Sequence, residues 1–325
     1  MCDAPGVADD FDPEHAFTFG DALRAGFTRR DLDAPLLDRP FHGLRAGRDR
    51  EPDDDELSAG ERQRRTIERK AMQFCTYMSA HEFFSHTTAA VLWGIPLPLL
   101  HRDDIDVSVC SPHRAPRGSG VRGHQLAARG VEVVTHAEYE VRLTSAAVTW
   151  ALLGAVLRHP YDLVAAADAV ARVDRVPGPR GRIKAPALAT IAELEAALLP
   201  KRRGIVAQRE ALRRARTGVA SRPETWTRLT LVDAGLPEPA TDVDVYDAHG
   251  EFIGCVDLAY RRRKIAFEYE GDHHRVDKDQ WNRDLEKHEL LVSAGWRVIR
   301  VTSQMLFVEP RTLVGLARQA LRERS

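Results

Sequence analysis

Residues 256–302 read VDLAYRRRKIAFEYEGDHHRVDKDQWNRDLEKHELLVSAGWRVIRVT, and this stretch decides the fold. The polar run Arg261, Arg262, Arg263 and Lys264 interrupts two apolar runs, at 252–259 and 264–270, so it reads as the turn of a β-hairpin. A turn centred on Arg262 and Arg263 sets Arg261 opposite Lys264 and Asp257 opposite Glu268. Side chains in a strand alternate between two faces. Lys264, Ala266, Glu268 and Glu270 therefore share one face. Ile265, Phe267 and Tyr269 share the other, which is expected to pack on the helix carrying Trp281 or its counterpart.

Working outward, Ser221 and Pro223 start a helix that runs to about Ala234 and ends at Gly235. Residues 241–246 form a first strand, with Ala248, His249 and Gly250 as its turn. Residues 278–294 read as an amphipathic helix with Trp281, Leu285 and Val292 on its apolar side, closed by Gly295. Residues 296–302 form a fourth strand and 311–322 a last helix. The order is α-β-β-β-α-β followed by α.

Asp257, Glu268 and Glu270 fall on one side of the hairpin. Like charges opposed in a sheet destabilise it by tenths of a kcal/mol to about 1 kcal/mol, so something must offset them. Salt bridges to Arg261–Lys264 are one answer. A divalent cation is the other, and is favoured because Asp257 and Glu268 sit mid-strand among apolar neighbours. Mg²⁺ takes one or two carboxylates, several waters and phosphate oxygens. Bound there, it would polarise a phosphoryl oxygen and lower the pKa of a water. Just past the strand, Gly271 permits a sharp turn, and His273 or His274 can donate to a phosphate or move a proton near neutral pH. His274 is favoured of the two, with Asp284 as a group that could orient it.

These residues resemble the PD-(D/E)XK nuclease superfamily. Within it they are similar to uncharacterised domains allied to the very short patch repair (Vsr-like) endonuclease. The likeness is carried by Asp257, by Glu268-Tyr269-Glu270-Gly271, by His274 and Asp284, and by Gly295-Trp296-Arg297-Val298-Ile299-Arg300. The family also has a Glu in its first helix, matched by Glu224. The resemblance implies a Mg²⁺- or Mn²⁺-dependent endonuclease acting on DNA. Asp257 and Glu268 would be metal ligands, and Glu224, Glu270 and His274 further members of the catalytic set. One position departs from the superfamily motif: the lysine of E-x-K is Glu270 here. Repair-type relatives also lack it, and which group activates the water stays open.

Upstream, Thr18 and Thr28 are placed to cap two short helices, the second over residues 29–32, and 42–45 reads as a strand. That is the outline of a small winged helix-turn-helix, or of a helical pair that only packs on its neighbours. The stretches FTRRDLDAPLLDRPFHGLR (27–45) and SHTTAAVLWGIPLP (85–98) resemble the AbiEi-like antitoxin winged-helix region that precedes such nucleases in actinobacterial proteins. Arg29 and Arg30 would then contact DNA, as would Arg261, Arg262, Arg263 and Lys264 of the hairpin turn.

The whole is an α/β (α+β) chain. Residues 1–15 read as disordered, 16–48 as winged-helix-like and 60–195 as a mixed α/β middle domain. A basic linker helix follows at 196–221, and 222–325 forms a restriction-endonuclease-like αβββαβ core with a mixed four-stranded sheet. In the middle domain, residues 79–98 read as a helix and so do residues 141–156. Its histidines, among them His81, His86, His113 and His124, are not spaced as ligands on one face.

Composition sets outer limits. The chain is 43% hydrophobic and 29% charged, as for a soluble globular protein. No run approaches the ~18–20 apolar residues of a membrane helix, and the acidic N-terminus is no secretory signal. A cytoplasmic protein is expected. The 47 basic and 48 acidic residues nearly cancel, so a nucleic-acid footprint must come from charge placement. Four scattered cysteines form no CxxC pair, so neither a zinc site nor a disulfide framework is expected. DNA is the expected partner, no membrane is involved, and a homodimer is an option for assembly. The rival to a nuclease is a non-catalytic DNA-binding regulator with a degenerate nuclease fold. A nuclease acting on RNA or repair intermediates is the third reading.

Overall fold

Thr18, Thr28, Ser58, Thr190 and Ser221 each accept a hydrogen bond from the backbone N–H three residues on, and each begins a helix. Such caps satisfy otherwise orphaned donors and stabilise a helix start by about 1 kcal/mol. The computed structural model describes residues 16–47, 57–198, 203–271 and 278–324, giving only the backbone of 278–281. It divides into two compact units, Met1–Val156 and Leu157–Ser325. That division falls inside the segment expected as a middle domain.

The first unit opens with β1 (Phe17–Thr18), α1 (Phe19–Arg24), α2 (Arg29–Leu32), β2 (Leu37–Asp38) and β3 (Leu44–Gly47). The three strands pair in the order β1-β3-β2. The two short helices start at the expected caps, and α2 is a single turn. Next come α3 (Ala59–Cys75), β4 (Glu82–Phe84), α4 (His86–Leu92), β5 (Ile105–Cys110), β6 (Val121–Leu126), β7 (Val133–Thr135), β8 (Arg142–Thr144) and α5 (Ala146–Leu153). The five strands form one mixed sheet, β6-β5-β4-β8-β7.

Two helices expected from the sequence are corrected here. Residues 79–98 are not one helix: Phe83 and Phe84 form the central strand of the sheet, and the chain turns sharply at His86, whose φ is +47°. Residues 141–156 likewise begin as a strand, β8, paired with β4 and β7. In both places sheet pairing overrides an apolar run that suits either structure.

The second unit contains α6 (Pro160–Ala171), β9 (Asp174–Arg175), β10 (Ile183–Ala185), α7 (Ile191–Ala197), α8 (Ile205–Arg214) and α9 (Arg222–Asp233). It continues with β11 (Ala240–Tyr246), β12 (Phe252–Tyr260), β13 (Ile265–Glu270), α10 (Lys278–Ser293), β14 (Arg297–Thr302) and α11 (Pro310–Glu323). β11, β12 and β13 run antiparallel and β14 lies parallel to β13, giving a mixed four-stranded sheet. The element order from α9 to α11 is the one read from the sequence.

Each face of this sheet carries its own core. Tyr260, Ile265, Phe267, Ile299 and Val301 pack with Leu231 of α9 and with Leu313, Ala317 and Ala320 of α11. Val243, Val245, Val256, Ala259 and Ala266 pack with Leu291 of α10 and Trp296. The apolar face of β13 therefore meets α9 and α11, and α10 covers the opposite face. Leu285 and Val292, expected on the buried side of α10, are exposed, whereas Leu291 is buried; the Trp281 side chain lies outside the described residues. Helical spacing marks a stripe but not which sheet face receives it.

Beside the sheet, α6, α8 and α9 share a buried ionic network. Arg228 Nη2 donates to Asp168 Oδ2 at 3.0 Å, and both side chains are 1% exposed. Thr225 Oγ1 also donates to Asp168, and Arg228 reaches Glu238 and the Arg214 carbonyl. At the end of the basic stretch expected as a linker helix, Arg213 pairs with Glu210, Arg214 with Asp233 and Arg216 with Glu238.

Candidate functional site

The β12–β13 hairpin pairs Tyr260 with Ile265, Ala259 with Ala266 and Leu258 with Phe267. These three pairs keep the register expected from the turn at residues 261–264; the ladder ends there, and Asp257 and Glu268 are the next residues along each strand. Arg261–Arg263 form a 3-10 turn, and Lys264 closes it with φ +49°. Asp257 Oδ2 accepts from the Tyr269 N–H across the hairpin at 3.0 Å. Glu268 Oε1 accepts from Lys287 Nζ, on the helix covering that face. The Lys287 stem lies over Gly254, where a Cβ would come within 3.2 Å of it.

Strand β12 does not alternate simply through this point. Val256 and Ala259 both join the core under α10, whereas Leu258 joins the other core. Asp242, on neighbouring β11, has φ +51°, a left-handed conformation that Asp tolerates better than most residues. Irregularities of this kind re-aim side chains within a sheet. Arg175 of β9 holds Asp242 and also Asp244, the latter at 2.8 Å.

Glu224 enters from the first turn of α9. Its Oε2 accepts from the Ala220 N–H at 2.9 Å and its Oε1 from Ser221 Oγ at 2.8 Å. Burial, followed by repulsion from Asp257, pushes its carboxyl up to about 7 despite those bonds. Burial likewise raises Asp257 to about 6, with repulsion from Glu268 and Asp242 adding to it and the Tyr269 N–H and Lys287 opposing it. Glu224, Asp257 and Glu268 thus form one set of interacting acids on three elements, with Lys287 beside it.

The remaining expected residues separate from this set. Glu270 turns to Arg300 on β14, at 2.9 Å. His274 lies outside the described residues. Arg261, Arg262, Arg263 and Lys264 are exposed at the far end of the hairpin, roughly 13 Å along the strands from the acids at about 3.3 Å per residue. There Lys264 Nζ donates to the Ala294 carbonyl at the end of α10, and Arg263 to the Arg324 carbonyl. Neither Asp257 nor Glu268 forms an ion pair with that turn. Arg29 and Arg30 are exposed on α2 of the first unit.

Two features were missed in the sequence. Lys287 sits in NRDLEKHELL, where a helical lysine looks like any solvated cation. The second is in the first unit. Among the described residues, His86, Asp106 and His124 are the one group of three His, Cys, Asp or Glu whose ligand atoms all lie within 4.8 Å of one another. The reading that the histidines of this region do not gather is corrected for His86 and His124. Their meeting depends on parallel pairing of β5 with β6, which no local spacing reveals.

No family model matches the chain, and no solved structure does. Two uncharacterised proteins of Mycobacterium tuberculosis, from strains CDC 1551 / Oshkosh and ATCC 25618 / H37Rv, are each 32% identical to it over 112 residues. The match covers 34% of this chain and 41% of each relative.

Proposed function

We propose that the second unit is a metal-dependent endonuclease that hydrolyses DNA phosphodiester bonds, in the manner of PD-(D/E)XK nucleases. The observation that carries this reading is the set of mutually repelling carboxylates, Glu224, Asp257 and Glu268, on an αβββαβ framework. Three neighbouring carboxylates, with Glu224 and Asp257 held above the ordinary range by burial and a nearby acid, fit the oxygen donors Mg²⁺ or Mn²⁺ prefers. Asp257 and Glu268 would hold the ion directly and Glu224 through water. The ion would supply Lewis-acid stabilisation of a phosphoryl oxygen and a more acidic water. Lys287 fixes the Glu268 carboxylate and brings a cation to the side where E-x-K has its lysine. Glu270, at the strand end, and His274 stand as further candidates for binding phosphate or moving a proton.

A second reading, a DNA-binding regulator that retains a degenerate nuclease fold, has two observations in its favour. The three acids do not converge as tightly as His86, Asp106 and His124 do, and both oxygens of Glu224 are engaged at the helix start.

Cleavage of supercoiled plasmid with Mg²⁺ or Mn²⁺ separates the two. Wild type is expected to nick or linearise DNA, and Asp257→Ala and Glu268→Ala to lower the rate by about 10²–10³-fold, the scale for losing a group that stabilises transition-state charge. Lys287→Met, which removes a partner of a metal ligand, is expected to cost about 10–100-fold. Equal inertness of wild type and all three variants on supercoiled, linear and mismatched DNA would sink the catalytic reading. Salt-sensitive DNA binding without metal binding would support the regulator.

A further inference from the structure

We propose that His86, Asp106 and His124 form a site for a Zn²⁺-class transition-metal ion in the first unit, separate from the carboxylates of the second. The topology builds it. β5 and β6 pair in parallel, with Asp106 beside Arg122 and Ser108 beside His124. Period-two alternation then puts Asp106, Ser108, Arg122 and His124 on one face, while Ile105 and Val107 enter the apolar core on the other. The start of α4 brings Ser85 and His86 over this polar face. Asp106, Ser85 and Ser108 are fully buried and His86 is 6% exposed.

The donors suit such an ion: two imidazoles and one carboxylate are common zinc ligands. His124 Nε2 lies 2.7 Å from Asp106 Oδ1, and the rings of His86 and His124 stack with centroids 4.0 Å apart. Donors around a tetrahedral Zn²⁺ at about 2.0–2.1 Å stand roughly 3.3 Å apart. Ligand atoms within 4.8 Å of one another reach that spacing with shifts of about 1.5 Å or less. Binding requires the proton between His124 Nε2 and Asp106 to leave, either to His124 Nδ1 or to solvent, so affinity falls at low pH. Arg122 Nη1, 3.7 Å from Asp106 Oδ1 and 42% exposed, is the cation that would have to yield.

An outer shell is already in place. His86 Nδ1 is hydrogen-bonded to Ser85 Oγ at 2.8 Å, and Ser85 Oγ to Ser108 Oγ at 2.6 Å. That bond makes Nε2 the coordinating nitrogen. Asp106 Oδ2 accepts from the Thr87 N–H at 3.1 Å and from its hydroxyl, which directs Oδ1 at His124. Metal-binding histidines and carboxylates are oriented by partners of this kind. His86 also holds φ +47°, an unfavourable conformation of the sort found at ligand clamps. Three protein ligands leave one position for water or substrate, and His124, 23% exposed, is the side open to solvent.

The test is calorimetric titration of the chelator-stripped full chain with ZnCl₂, in wild type and in Asp257→Asn/Glu268→Gln. One equivalent is expected in both. Affinity should fall at least tenfold in His124→Gln and about tenfold in Ser85→Ala, with no binding in His86→Gln/His124→Gln. Co²⁺ should give visible ligand-field bands that His124→Gln removes. His124 lies on an edge strand, so its variant is expected to fold, and far-UV circular dichroism checks this. Absence of an equivalent in wild type, or Zn²⁺ binding unchanged in a folded His124→Gln, overturns the site. Loss of the equivalent in Asp257→Asn/Glu268→Gln alone would assign it to the carboxylates and overturn it too.

Discussion

Arg228→Met is expected to destabilise the second unit by about 3–5 kcal/mol, read as a shift of the chemical-denaturation midpoint. Arg228 and Asp168 are both 1% exposed, so neither charge has water to fall back on. Burial pushes the Asp168 carboxyl up, against the Arg228 charge and bonds from the Arg216 N–H and Thr225. Removing one partner of such a pair leaves the other charge buried and uncompensated, which typically costs that much. Asp168→Leu combined with Arg228→Met should recover a large part of the loss, because Glu238, 36% exposed, can return to solvent. A loss under about 1 kcal/mol for Arg228→Met would show that water reaches Asp168.

The second large effect is a pH dependence tied to divalent cations. Asp257 and Glu224 titrate near 6 and 7 in the folded chain, against about 4 for ordinary carboxyls. Their folded pKa values are raised, so between about pH 4 and 7 the folded state binds more protons than the unfolded state. Stability then falls as pH rises through that window, by about 3 kcal/mol for each carboxyl taken alone. Carboxyls held low, such as Asp31, Asp103 and Asp106, work in the opposite sense and only as pH drops toward their own lower values. Without metal, the melting temperature should therefore rise from pH 8 to pH 5 more steeply in wild type than in Asp257→Asn. Saturating Mg²⁺ should stabilise wild type more at pH 8 than at pH 5, and Asp257→Asn hardly at either. Identical pH profiles for the two proteins would show that the acids are not strained.

The register of the β12–β13 hairpin could be read directly, because a four-residue polar turn and period-two alternation leave little freedom. Asp257 and Glu268 follow from it. What could not be read depends on contacts distant in the chain. The apolar face of β13 packs on α9 and α11 rather than on α10, and Leu285 and Val292 of the expected α10 stripe are exposed, since periodicity carries no information about the opposing surface. Arg261, Arg262, Arg263 and Lys264 looked like a phosphate-binding loop. They sit at the hairpin end remote from the acids, with Lys264 capping a helix. Phe83 and Phe84 looked helical because an apolar run carries no label, and the sheet settled the matter. Lys287, His86 and His124 acquire meaning only from partners on other elements.

The division before Leu157 has a practical consequence for cutting the chain into pieces. A fragment beginning at the boundary legible in the sequence, near residue 222, would keep Arg222, Trp226 and Arg228 but discard α6. Asp162, which holds Arg222 and the Trp226 indole, would be lost together with Asp168. The smallest piece to express and crystallise on its own therefore starts some sixty-five residues earlier, at Leu157. Three helices, α6, α7 and α8, and the β9–β10 hairpin, which read from the sequence as middle domain and linker, are part of its body.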